Sequence, residues 1–132
     1  MRLCLYLTFA AFMLIACKKS VSRIEPTGVY GTWYYKEFYI SPGTPSYWQT
    51  VNQTDQIVYF GGDGRYASNA VYREYQNFKL VDSNKILLTK KDNTTRSQTL
   101  LFELDSLQST LTLYPLNPAC IEGCGYKFSR MK

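Results

Sequence analysis

Two kinds of hydrophobic pattern divide the chain. Residues 3–15 carry no charge and run almost continuously apolar, with Arg2 before them and Lys18-Lys19-Ser20 ending the run soon after. From residue 29 onward the pattern changes to short stretches rich in Tyr, Thr, Val, Ile and Phe, in which apolar side chains frequently fall at every second position. That period of two is the mark of β-strands with one face buried. It predicts strands over 29–40, 47–51, 56–60, 65–69, 71–81, 85–90, 95–104, 110–114 and 126–130. Punctuation falls between them. Ser41-Pro42-Gly43-Thr44-Pro45 is a loop, Gly61-Gly62-Asp63-Gly64 a hairpin turn using positive φ at its glycines, Asp82-Ser83-Asn84 and Asp92-Asn93 further turns, 105–109 another, and 117–125 a loop with two cysteines. Alternation places Trp33, Tyr35 and Tyr39 on one face of the first strand, and Leu100, Phe102 and Leu104 on one face of a later one. Leu111 and Leu113 point inward, and Tyr126, Phe128 and Arg130 share a face of the last strand. No segment has a convincing helical period. The expectation is an all-β domain, a small antiparallel barrel of about eight strands over a sandwich, because closure removes exposed strand edges.

The apolar run at the start is too short for a bilayer-spanning helix, which needs about 20 apolar residues. It has the length of the apolar core of an export signal. Leu14-Ile15-Ala16-Cys17 resembles the lipobox of bacterial lipoproteins: a branched apolar residue, a tolerant position, a small residue and cysteine. The resemblance implies a cleaved leader over 1–16, lipid attached to the Cys17 sulfur, and a lipidated tether over 17–28 ahead of a domain over 29–132. Two or more acyl chains anchor firmly where one does not. Such a protein is held to the membrane without spanning it. Lys18 directly after the lipidated cysteine is similar to the sorting pattern of outer-membrane lipoproteins, which implies an outer-membrane anchor facing the periplasm.

Composition narrows the function. Arg2 leaves with the leader, so fourteen basic residues face ten acidic ones, an excess of +4. Lys18 and Lys19 supply half of that beside the membrane. This reads as contact with lipid headgroups, and nucleic acid is not expected as a partner. The chain has no histidine, which removes Ser-His-Asp and Cys-His catalysis and the usual zinc and iron sites. Asp55 and Asp63 lie near turns, where aspartate is normally a turn-former, and no carboxylate pair stands out. Neither an enzyme nor a metal protein is expected, nor any cofactor beyond the covalent lipid on Cys17. Cys120 and Cys124 remain once Cys4 has gone with the leader and Cys17 is lipidated. In the oxidising compartment implied by the lipobox, a disulfide between them is the default. A metal site would lack its remaining ligands, and the spacing is not that of a C-x-x-C redox pair.

Within the domain, Gly31-Thr32-Trp33 resembles the Gly-x-Trp signature of lipocalins, and Phe60-Gly61-Gly62-Asp63-Gly64-Arg65-Tyr66 resembles the aromatic Asp-Gly hairpin of small lipocalin-like lipoproteins. Two close cysteines before the last strand fit the same pattern. The resemblance implies a barrel closed at one end by Trp33, with Arg130 packed over it as a cation on an indole face. It also places the open mouth by the first loop, flanked by Tyr34, Tyr35, Tyr39, Tyr47 and Trp48. After the leader the chain keeps eighteen aromatic residues, tyrosine foremost. A tyrosine brings an apolar ring and a hydroxyl together, which suits an amphiphile. The five residues are therefore the candidate site for a small hydrophobic or amphiphilic ligand. The alternative is a filled barrel that contacts another periplasmic protein, by an exposed loop such as 117–125. A monomer is expected in either case.

Overall fold

A computed structural model describes residues 27–41, 47–92, 96–121 and 123–132. The leader, Cys17, the tether up to Pro26 and the core of the first loop lie outside the described residues. Nine strands follow in order: β1 (Gly31–Ile40), β2 (Tyr47–Thr50), β3 (Ile57–Phe60), β4 (Tyr66–Ser68), β5 (Asn77–Asp82), β6 (Lys85–Thr89), β7 (Ser97–Leu104), β8 (Thr110–Asn117) and β9 (Cys124–Arg130). All neighbours are antiparallel, in the order β4-β3-β1-β9-β8-β7-β6-β5. β3 pairs with the first half of β1 and β2 with its second half, so the two share one place in the wall and eight strand positions remain. The outer strands β4 and β5 meet through an Arg65–Asn77 bridge. There Tyr66 N donates to Gln76 O and Phe78 N to Gly64 O, each at 2.8 Å. The sheet is thus nearly closed into a barrel in which, apart from β2 and β3 sharing one place beside β1, each strand lies beside its neighbours in sequence and β9 returns to β1.

The period of two explains the core. Val58 and Phe60 of β3, Ile86 and Leu88 of β6, Leu111 and Leu113 of β8, and Phe128 of β9 are buried, and the residues between them face outward. Phe60 sits between Tyr66, at 5.3 Å between ring centroids, and Phe78, edge-on at 5.0 Å. The antiparallel order fixes which loops share an end. The turns at 61–64, 83–84 and 105–109 lie at one end with both termini of the domain, here called the closed end. The loops at 69–76 and 118–123 lie at the other, the open end.

Three expectations change. The first is the phase of β1. Register with β9 slips between Tyr35 and Glu37, leaving Lys36 without a partner there. One extra residue flips every later side chain to the other face. Trp33 and Tyr35 point inward opposite Arg130 and Phe128, whereas Tyr39 lies opposite Gly125 on the outer wall. The second is the strand expected over 71–81, which begins only at Asn77. Ser68 Oγ accepts from the amides of Ala70 and Val71, and Tyr75 N donates to Tyr72 O. These local bonds curl the backbone into a loop, as serine often does by offering an alternative to the ladder. Tyr72 takes a left-handed φ of 54° within it. The third is the 61–64 turn, where only Gly64 of the three glycines uses a positive φ, 84°. β8 also runs past 114 through Pro115 to Asn117. The missing amide is tolerated because the register with β7 slips there, between Thr99 and Leu100.

Candidate functional site

At the closed end, Trp33 is fully buried and its Nε1 donates to Val29 O at 2.8 Å. The Arg130 guanidinium lies 4.1 Å from the centre of the indole ring. It donates from Nε to Gln108 O at 2.7 Å, from Nη1 to Tyr30 O at 2.9 Å and from Nη2 to Gly28 O at 2.6 Å. One side chain therefore ties the entering chain, the β7–β8 turn and the last strand together. These groups are consumed by one another, so this end is built for stability.

Toward the open end the interior changes from aliphatic to phenolic. Tyr35 packs at 5.2 Å from Phe128 and 6.2 Å from Tyr126. Tyr72, from the 69–76 loop, meets Tyr126 edge-on at 5.6 Å. Tyr66 O–H donates to Val71 O at 2.8 Å, fixing that loop to the wall. Burial pushes the Tyr35 hydroxyl up to about 12, with the Tyr126 hydroxyl adding to the shift. Burial first, and Tyr126 second, push Tyr72 up further. Tyr66 is raised by burial against an opposing hydrogen bond with Ser68. All three stay neutral hydroxyls at physiological pH. No buried side-chain polar atom among the described residues lacks a partner. The cluster can offer ring faces and O–H donors to a small amphiphile.

The five expected ligand residues do not form one group. Tyr35 alone joins the interior cluster. Tyr34 stands on the outer wall with Lys36 Nζ 5.5 Å from its ring. Tyr47 is exposed on the rim, next to Ile40. Tyr39 and Trp48 pair outside the barrel with centroids 5.4 Å apart. Lys127 Nζ lies 4.1 Å from the Trp48 ring and makes an ion pair with Glu37. Beneath Trp48 is Gly125, where a Cβ would stand 2.9 Å from Trp48 Cη2 and 3.0 Å from Tyr114 Cε1. Only glycine lets both rings lie on the strand. Gly125→Ala should tilt Trp48 outward at a cost of about 1 kcal/mol, the low end for overpacking because both rings can swing away. A red shift in tryptophan emission with a small loss in urea resistance is expected, and an unchanged spectrum would show that the ring does not rest there.

The signal for Tyr126 was already in its alternation with Phe128 and Arg130. Tyr72 was hidden by the strand-like composition of its loop, and no residue pattern announces the bulge at Lys36. Cys120 and Cys124 are joined in a disulfide, with Cα atoms 5.7 Å apart, at the foot of the 118–123 loop. Two shallow surface depressions lie among the described residues. One of about 520 Å3 is lined by Glu74, Gln76, Lys90, Lys91 and Asp92. The other, of about 540 Å3 at the closed end, is lined by residues including Thr27, Leu107, Gln108 and Lys132. Neither is lined by any of the five expected residues. No protein-family model, curated protein or solved structure matches the chain.

Proposed function

We propose that the chain is a lipoprotein, tethered to the periplasmic face of the outer membrane through Cys17, whose lipocalin-like barrel takes up a small hydrophobic or amphiphilic ligand at its open end. The observation that carries the ligand reading is the grouping of Tyr35, Tyr72 and Tyr126 inside that end, above an aliphatic floor. Rings and neutral hydroxyls side by side match a molecule with an apolar body and one polar group. Tyr72 is the movable part, since it belongs to a loop and holds a left-handed backbone that a non-glycine residue adopts at a cost. The anchor reading is supported by the uncharged run over 3–15 and by Leu14-Ile15-Ala16-Cys17. A second reading, contact with another periplasmic protein, is favoured by Ile121. It stands fully exposed on the disulfide-held loop, with Leu116 and Tyr47 exposed on the same rim.

One variant tests both parts. Cys17→Ser should yield a protein without acyl mass that leaves the membrane fraction, and native mass spectrometry of it should show a co-purifying lipid-sized ligand. Retention on membranes after a salt wash would refute the anchor. A ligand-free spectrum would count against the barrel as a carrier and favour the protein-contact reading.

A further inference from the structure

We infer that the closed end of the barrel is a membrane-contacting surface, resting on the bilayer while the open mouth points away from it. This rests on the anchor reading above and adds an orientation and a contact surface to it. Thr27 lines the closed-end depression, and Gly28 N donates to Gln108 Oε1 at 2.7 Å, so the tether leaves the domain at that end. Residues 18–26 separate Thr27 from the lipidated cysteine and reach about 30 Å when fully extended. β1 has ten residues, which at a barrel tilt gives a wall roughly 25 Å high. Turning the mouth to the bilayer would force the tether to run nearly straight along the whole wall. Resting on the closed end leaves it slack.

The surface at that end suits a bilayer interface. Leu107 is 83% exposed at the tip of the β7–β8 turn, in the same depression as Lys132, and Met131 is 45% exposed beside it. Leu80 and Val81 are exposed beside the 83–84 turn at the same end. Apolar side chains on turn tips, with lysine next to them, can enter the headgroup layer without ordering new structure. Exposure alone does not choose the end, because Tyr47 and Ile121 are exposed at the mouth. The position of the tether does.

The test uses the full lipidated chain in vesicles of phosphatidylethanolamine and phosphatidylglycerol. Leu107→Cys and, separately, Tyr47→Cys are labelled with an environment-sensitive dye. Cys17 is blocked by lipid and Cys120 and Cys124 by their bond, so the new thiol is the one that reacts. The dye at 107 should shift to the blue and be quenched several-fold more by brominated lipid than the dye at 47. Met131→Cys should report the same as position 107. Equal or stronger quenching at 47, in protein that floats with the vesicles, overturns the orientation and leaves the anchor standing. Protein that does not float at all overturns the anchor, and the orientation with it.

Discussion

Trp33→Ala should remove about 3–5 kcal/mol of stability, the range for deleting a large buried aromatic side chain. A domain of this size has about 5–15 kcal/mol in total, so the variant should be close to unfolded at physiological temperature. The cost has three sources. The indole is fully buried, so its removal leaves a cavity ringed by β1, β3 and β9. Val29 O loses the donor it now has at 2.8 Å. The Arg130 guanidinium loses the ring face it covers at 4.1 Å, worth about 0.5–2 kcal/mol. Arg130→Ala should cost less, since its carbonyl partners at Gly28, Tyr30 and Gln108 lie where water can reach them in part. Because the two side chains touch, the double variant should lose less than the two single losses added together. Urea unfolding of all three variants gives the comparison. Strict additivity would mean that the stacked pair is a contact without energetic coupling, and a loss under about 1 kcal/mol for Trp33→Ala would remove it from the core.

The closed end was legible because its determinants are local or terminal, though the pairing of Trp33 with Arg130 was implied by the resemblance to the Gly-x-Trp signature and not by pattern alone. Gly31-Thr32-Trp33 sits at the start of the first strand, and Arg130 reaches it by plain alternation from Phe128. The all-β class and the antiparallel barrel were legible for the same reason: short alternating runs with turn residues between them leave few other solutions. Legibility failed where a single residue changes phase. Alternation read straight through Lys36 puts Tyr39 inside, and the bulge puts it outside with Trp48. A bulge is decided by cross-strand pairing between β1 and β9, which lie about ninety positions apart, so neither strand alone announces it. The 69–76 loop failed for another reason. Val71, Tyr72 and Tyr75 have the composition of a strand, yet their apolar side chains are buried by folding back over the barrel end. Burial satisfied the hydrophobic pattern without the pairing that the pattern usually means. Both failures fell on the candidate site. They moved Tyr39 and Trp48 out of it and brought Tyr72 in.

Stability should fall steeply above pH 10, and buried phenols should be the cause. Desolvation raises the folded-state pKa of Tyr66 and Tyr72 well above the ordinary value of 10.0. A group raised in this way contributes its full share below the unfolded value and loses it as pH climbs toward the folded value. Below pH 10 both states keep these protons and stability is flat with respect to them. Above it the unfolded phenols ionise while the folded ones cannot, and each costs about 1.4 kcal/mol per pH unit. Tyr66 and Tyr72 together give nearly twice that slope. Tyr35 adds to it in the same direction up to about pH 12. A titration followed by tyrosinate absorbance reads the ionisation of the buried phenols, Tyr66 and Tyr72. They should appear together, in one step with loss of the β-sheet circular dichroism signal. Tyr66→Phe and Tyr72→Phe should each flatten the slope, and a double variant as alkali-sensitive as the parent would assign the effect to other groups. The Tyr35 and Tyr72 hydroxyls are neutral across the whole acid-to-neutral range, as any phenol is below its ordinary value of 10.0, and burial extends that range into alkali. If the barrel takes up a ligand as proposed, uptake that relies on them should be independent of pH there and end only when the barrel itself opens in alkali.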